Sequence, residues 1–136
     1  MNMSVRTLKQ LEESFSLFDN WEDRYRYLID LGGRLDPMDE SLKTPESLVK
    51  GCTSKVWLIA ENRGGKYRFT ADSDALIVRG LVYLIMVAYQ DRTAEEIRGI
   101  DMLGAFDRMG LHQHLSPNRR NGFFAMVERI RTLAAG

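Results

Sequence analysis

The spacing of apolar residues predicts two helices at the start of the chain. Between residues 7 and 18, apolar side chains recur every three or four positions, which places them on one face of a helix. A second stripe with the same period follows Asn20, a residue type that caps helix N-termini. We expect this second helix to end at Gly32 and Gly33, with a glycine in the left-handed conformation.

A loop and a β-hairpin are predicted next. Residues 35–46 contain two prolines among charged residues, which is typical of an exposed loop. Residues 56–60 are rich in β-formers, residues 66–70 alternate polar with aromatic side chains, and the glycines between them accept a tight turn. Because a two-stranded hairpin is marginal alone, we expect residues 47–49 to add a short third strand.

The second half of the chain reads as helical. Residues 75–89 are apolar on nearly every side, which indicates a central, buried helix. The triplet Asp72-Ser73-Asp74 precedes it and is expected to cap its N-terminus. Three further helices are expected: a short one with capping-box spacing from Thr93, one from Asp101 to near Gly110, and a final one from Ser116-Pro117.

These elements predict the α+β class, with a small antiparallel β-sheet of two to three strands packed against a set of α-helices. A chain of 136 residues with 44% hydrophobic content is long enough to bury a core of its own. We therefore expect a single domain over residues 1–136.

Charge and composition narrow the classes of function. The 19 basic and 19 acidic residues cancel, so no global field attracts phosphate backbones or anionic membranes, and nucleic acid is not an expected partner. The first seven residues lack an apolar signal core, and the longest apolar run, residues 81–89, is too short to span a bilayer. A lone cysteine fits a reducing compartment, so we expect a cytoplasmic protein.

That lone cysteine, Cys52, is the main candidate for chemistry. It cannot form an internal disulfide, and it cannot build a sulfur-rich metal site by itself. The reactive form of cysteine is the thiolate, and the ammonium groups of Lys50 and Lys55 are close enough in sequence to lower the thiol pKa. The competing interpretation is a buried, inert cysteine flanked by ordinary solvated lysines.

Two other groups carry candidate chemistry. His112 and His114 could join Cys52 around zinc, or His114 could act as the base of a thiol hydrolase, but no second cysteine completes a familiar zinc spacing. Arg119 and Arg120 lie near the start of the last helix, where the helix dipole disfavours positive charge. We expect Arg119 to serve a salt bridge or a partner's carboxylate and Arg120 to be solvated.

Five separated segments together resemble the SufE family of sulfur-acceptor proteins. They occur in the same order as in the family, and the resemblance covers nearly the whole chain. The segments are residues 20–25, residues 31–35, residues 49–52 with Val56-Trp57, residues 72–81, and residues 113–119 with Gly122.

The resemblance implies a fold like that of the U-type iron–sulfur scaffolds and a role in sulfur transfer. The implied partner is a SufS-type cysteine desulfurase, which carries the pyridoxal phosphate, so no cofactor or metal is expected on this chain. Cys52 would take the persulfide sulfur and deliver it to a SufBCD-type cluster scaffold. U-type scaffolds hold their cluster with several cysteines, and one thiolate cannot, which favours sulfur relay over cluster assembly. The resemblance also implies an accessory protein for sulfur transfer rather than a stand-alone enzyme.

Residue by residue, the resemblance implies Cys52 as the persulfide acceptor and Gly51 as its flexible neighbour. Asp74 and Arg119 match positions associated with the cysteine loop and partner contact, and His114 is a supporting candidate. It also implies that the cysteine loop can be tucked away in the free protein. Three alternatives stay open: a CsdE-type acceptor serving another desulfurase, a Cys52/His114 hydrolase, and an interaction module with a structural cysteine. A homodimer is also left open.

Overall fold

The computed structural model of the protein describes residues 7–51 and 54–135. Within these ranges the chain forms seven α-helices, two short 3-10 helices and three strands. In chain order they are α1 (Leu8–Ser16), α2 (Trp21–Gly32), the 3-10 helices Glu40–Leu42 and Pro45–Ser47, β1 (Val56–Arg63), β2 (Lys66–Ser73), α3 (Leu76–Tyr89), β3 (Arg92–Thr93), α4 (Ala94–Arg98), α5 (Met102–Arg108), α6 (Leu111–His114) and α7 (Pro117–Ala135). The predicted α+β class is confirmed.

Three of the helix starts that the sequence predicts, those of α2, α4 and α5, are confirmed at their capping residues. The Asn20 side chain accepts a hydrogen bond from the Asp23 amide at 2.8 Å, which satisfies a free N–H of the first turn of α2. Thr93 and Glu96 form the reciprocal capping box of α4. Asp101 accepts from the Gly104 amide at 3.0 Å and begins α5.

The glycines at the end of α2 serve close packing, and the expected left-handed cap is wrong. Gly33 caps the helix with φ of −69°, in the right-handed region. A Cβ on Gly32 would lie 2.8 Å from the Gly80 nitrogen, and a Cβ on Gly80 would lie 2.2 Å from the Leu28 carbonyl oxygen. Helices α2 and α3 therefore pack with their backbones in contact, which only glycine allows at these two positions.

The segment before the hairpin is less exposed than expected. Leu35 and Met38 are 9% and 5% exposed and anchor the segment to the protein, and residues 40–42 and 45–47 form 3-10 turns. The expectation of an exposed loop is therefore wrong at the two apolar positions, because each buries its side chain despite charged neighbours.

The sheet has the strand order β1-β2-β3 and is antiparallel throughout. The register of the hairpin runs from Val56 opposite Ser73 to Arg63 opposite Lys66. The third strand is β3, which pairs with the start of β2, whereas Leu48 makes only an isolated bridge to Trp57. The prediction of a third strand at residues 47–49 is thus wrong, although that segment does touch the sheet.

Helix α3 lies at the centre of the core, as its all-round apolar sequence predicts. It packs against α2 and β2, and Leu84 and Tyr89 are fully buried. Its N-cap is Ala75, which makes no side-chain capping bond, so the expectation that residues 72–74 cap this helix is wrong. In the described ranges, no helix combines the length and apolar character needed to cross a membrane.

Candidate functional site

Cys52 and Thr53 lie outside the described residues, and the structure describes the chain on both sides of them. We call residues 43–51 the upstream limb and residues 54–55 the downstream limb. The upstream limb follows the first 3-10 helix and contains the second, and the downstream limb leads into β1.

The upstream limb is ordered by its own side chains and by the edge of the sheet. Thr44 and Ser47 form a reciprocal capping box, and the buried Ser47 hydroxyl donates to the Leu42 carbonyl at 2.9 Å. The Val49 amide donates to the Val56 carbonyl at 2.8 Å, which ties the limb to the first residue of β1. These bonds therefore hold the backbone of the upstream limb from Thr44 to Val49 in place.

Helix α7 supports the end of the upstream limb. Gly51 has φ of +95°, a conformation that favours glycine, and a Cβ there would lie 3.3 Å from the Ala125 Cβ. The Arg129 guanidinium donates to the Glu46 carbonyl at 3.3 Å. The predicted flexible role of Gly51 stays a prediction, but its backbone conformation and its close neighbour both explain a glycine at this position.

The downstream limb is held by the residues that follow β2. The Lys55 amide donates to the Asp74 carboxylate at 3.1 Å, and the Asp74 amide donates back to the Lys55 carbonyl at 3.2 Å. The Ser73 hydroxyl donates to the same carbonyl at 2.8 Å. Ser73 and Asp74 thus hold the backbone of Lys55, three residues beyond Cys52. They do not cap α3, although the sequence predicts that they do.

A small, mainly apolar cavity of about 20 Å³ lies where the downstream limb meets α3 and α7. It is large enough for little more than one water-sized group. It is lined by Ser54, Val78, Leu81, Asn118, Arg119, Gly122, Phe123 and Met126.

Arg119 contributes to this cavity and contacts Tyr25 of α2. Its guanidinium lies 5.6 Å from the Tyr25 ring centroid and donates to the Tyr25 hydroxyl. The sequence offered no signal that Tyr25 meets Arg119, because the contact joins residues 94 positions apart. Arg120 donates to the carbonyls of His112 at 2.9 Å and Leu115 at 3.3 Å, so the expectation that it is merely solvated is wrong.

His114 lies in the short helix α6, and its ring stacks on Trp21 with centroids 4.7 Å apart and planes 17° from parallel. The two histidines of the sequence, His112 and His114, therefore both lie in a single helical turn. Trp21 in turn meets Tyr25 edge to face at 5.3 Å, so His114 joins an aromatic cluster that extends to Arg119. Over residues 7–51 and 54–135 there is no group of three or more His, Cys, Asp or Glu that could hold a metal ion.

The two lysines near Cys52 are exposed. Lys50 precedes Gly51, the last residue of the upstream limb, and Lys55 is the last residue of the downstream limb. Among the described residues neither ammonium group makes a salt bridge. They therefore add positive potential on both sides of the cysteine, and no described carboxylate pairs with either of them.

Comparison with protein families finds one family whose sequences resemble this chain over nearly its whole length. A family model described as "SufE: Fe-S metabolism associated domain" matches residues 9–134. An uncharacterised SufE-like protein of Rhizobium meliloti (strain 1021) is 42% identical, over 97% of this chain and 97% of that protein. An uncharacterised SufE-like protein of Rhizobium etli is 43% identical, over 93% of this chain and 88% of that protein.

A solved structure shares the fold. The solution structure of a hypothetical protein from Thermus thermophilus superposes with a TM-score of 0.76, over 94% of this chain and 93% of that one. Because the two sequences are only 22% identical, this likeness concerns the fold alone.

Proposed function

The chain belongs to the SufE family, and from this membership we propose that it accepts sulfur from a cysteine desulfurase, with Cys52 as the receiving thiol. The family is associated with Fe–S metabolism and has a role in sulfur transfer. The specific donor proposed is a SufS-type enzyme, and the proposed recipient is a SufBCD-type cluster scaffold. A CsdE-type pairing with another desulfurase is the alternative within the same chemistry.

The observation that carries the proposal is the place of the chain's only cysteine. Cys52 lies between two limbs that separate parts of the fold hold in position, and the family match extends across both of them. An inert cysteine that only fills space needs no such arrangement, whereas a thiol that must meet a partner's sulfur benefits from fixed flanks and exposed surroundings. A single cysteine also protects the cargo, since a second internal thiol could attack a persulfide and release sulfide.

The transfer itself is thiol exchange. The Cys52 thiolate attacks the outer sulfur of the desulfurase's cysteine persulfide, and a new S–S bond forms at Cys52. The bond between the two sulfurs of the donor breaks, and the donor cysteine leaves as a thiolate. One sulfane sulfur and its proton move from the donor to Cys52, so the reaction requires no external oxidant or reductant.

The charges on the two limbs favour this reaction. Attack requires the Cys52 thiolate, and the donor cysteine leaves as a thiolate, so the exchange carries one negative charge throughout. The exposed ammonium groups of Lys50 and Lys55 stabilise negative charge between them. A reducing, cytoplasmic setting would keep the thiol free between cycles.

Intact-protein mass spectrometry tests the proposal directly. The protein is incubated with free cysteine and a SufS-type desulfurase, and the mass is recorded without reductant. We expect a gain of one sulfur atom that requires both the enzyme and cysteine and disappears on adding dithiothreitol. An unchanged mass, with the desulfurase active under the same conditions, would contradict the proposal.

Asp74 provides a prediction about access to the cysteine. Asp74→Arg removes the acceptor that holds the Lys55 amide and places a cation beside Lys55, so the downstream limb should loosen. We expect Cys52 in this variant to react with iodoacetamide severalfold faster than in the unmodified protein. The rate is measured by mass spectrometry at fixed pH.

Asp74→Asn is the matched control, because its side-chain oxygen can still accept from the Lys55 amide. We expect an alkylation rate within about twofold of that of the unmodified protein, since a neutral acceptor weakens such a bond without removing it. Equal rates for Asp74→Arg and Asp74→Asn, with circular dichroism unchanged in both, would remove Asp74 from the holding of this limb.

A further inference from the structure

Asp72, the next-to-last residue of β2, is a buried acid that forms ion pairs with two basic residues. The residue is 9% exposed, and its carboxylate oxygens lie 3.1 Å from Lys43 Nζ and 3.1 Å from Arg79 Nε. One of these oxygens also accepts the Ser73 amide at 2.8 Å. A carboxylate removed from water is costly unless it is paired, and the two cations and the Ser73 amide offset that cost here.

Lys43 is the first residue of the upstream limb, so its ion pair links that limb to Asp72 of β2. Its ammonium group also lies 2.7 Å from Glu40 and 5.0 Å from the centroid of the Trp57 ring. Hydrogen bonds to Glu40 and to Asp72 raise the pKa of Lys43. The Glu40 side chain is 85% exposed, whereas that of Asp72 is 13% exposed, so water screens the first pair far more than the second.

The residues that hold the two limbs are consecutive in the chain. Asp72 holds Lys43, the first residue of the upstream limb, while Ser73 and Asp74 hold Lys55, the last residue of the downstream limb. Three consecutive residues therefore fix both limbs of the segment that contains Cys52.

We propose that Asp72 is a positioning residue for sulfur acceptance at Cys52, acting through its ion pair with Lys43. The inference rests on the function proposed above. Arg79 Nε lies 3.1 Å from the other carboxylate oxygen without forming a hydrogen bond, and the Ser73 amide donates to that same oxygen at 2.8 Å. These two contacts orient the Asp72 side chain toward Lys43. A limb anchored in this way enters the reaction with less conformational freedom left to lose, and small errors in placing a reacting group cost large factors in rate.

Lys43→Met is the main test, because it keeps an unbranched side chain only one atom shorter and removes the charge. With desulfurase and cysteine, turnover is measured as a function of the concentration of this protein. We expect kcat to fall roughly tenfold and the apparent KM for this protein to change by less than about twofold. Lys43→Arg, which restores a cation opposite Asp72, is expected to recover most of kcat.

Three further variants show which contact of Lys43 causes the effect. Arg63→Met removes a cation from the exposed Glu61 pair at the far end of the hairpin, and we expect no change in kcat or KM. Glu40→Gln removes only the exposed partner of Lys43 and is expected to change kcat by less than about twofold. Asp72→Asn should match Lys43→Met, if it folds by circular dichroism.

The second readout does not depend on sulfur transfer. Iodoacetamide labelling of Cys52 and hydrogen exchange of the Val49 amide, which bonds to Val56, both report on the upstream limb. We expect both rates to rise severalfold in Lys43→Met and to return in Lys43→Arg. If the unmodified protein takes up no sulfur, the proposed function fails, while these two rates still decide whether Lys43 orders the limb.

The outcomes that overturn the inference are specific. Unchanged kcat, labelling and exchange in Lys43→Met would overturn it. So would a rise in KM alone, which would make Lys43 a docking residue, or a loss that Lys43→Arg fails to recover. A loss reproduced by Glu40→Gln would assign the effect to the exposed pair and would equally overturn the role of Asp72.

Discussion

Cys52→Ser is expected to take up no sulfur from a cysteine desulfurase and to lose all stimulation of that enzyme. The hydroxyl of serine is not ionised at neutral pH and cannot attack a persulfide sulfur as a thiolate does. The measurement is the intact mass after incubation with cysteine and desulfurase, together with the rate of alanine formation. Circular dichroism and the thermal midpoint are recorded to show that the variant is folded.

A relocated thiol provides the control for this result. Ser16→Cys in the Cys52→Ser background places one exposed cysteine at the end of α1, away from both limbs. We expect this protein to gain little or no sulfur, because an exposed thiol without the limbs and their lysines lacks the proposed setting. A full sulfur gain in Cys52→Ser itself would show that the site is wrongly assigned, and an equal gain at the relocated thiol would show that the setting is unimportant.

Gly80→Ala is expected to be the most destabilising small substitution in the core. The added Cβ would lie 2.2 Å from the Leu28 carbonyl oxygen and 2.8 Å from its carbonyl carbon, and both belong to the backbone of α2. Neither atom can rotate away, so the two helices must separate. We expect a loss of about 3 kcal/mol in the free energy of unfolding, the upper part of the range for overpacked cores.

Urea denaturation measures this loss, and Gly99→Ala is the matched control. At Gly99 the backbone is right-handed, with φ of −84°, and the nearest atom to an added Cβ is 3.6 Å away, an ordinary contact. We expect that variant to remain within about 1 kcal/mol of the unmodified protein. Similar stabilities for the two variants would contradict the close packing of α2 on α3.

Periodicity and local capping are sufficient to predict most of the fold. The stripes of α1 and α2, the apolar sequence of α3 and the hairpin depend on neighbours within a few residues, and the structure confirms each. The strand β3 escapes prediction because two residues, Arg92 and Thr93, carry no alternation that sequence could reveal. The short helix α6 escapes it because four residues are too few for a helical stripe.

The contacts between distant parts of the chain are not predictable from local patterns. Gly32 and Gly80 are 48 positions apart, so the local sequence indicates a helix stop where the fold requires a close helix contact. One part of the site can be predicted from the hairpin turn. A two-residue turn at Gly64-Gly65 places Val56 opposite Ser73, so residues 72–74 must lie beside the downstream limb. The pairing of Asp72 with Lys43 has no comparable signal.

The tip of the hairpin offers a position for a reporter. Gly64 and Gly65 have φ of +63° and +95°, which disfavours a side chain at either of them, so the exposed Arg63 beside the turn is the position for a reporter. Arg63 is the last of the eight residues of β1, and Val56 at the other end of the strand pairs with Ser73. At about 3.3 Å per residue, the turn lies roughly 23 Å from the open end of the hairpin, where Val56 pairs with Ser73. A fluorescent group inserted at the tip could therefore signal the arrival of a partner at the limbs while leaving the thiol and its anchors untouched.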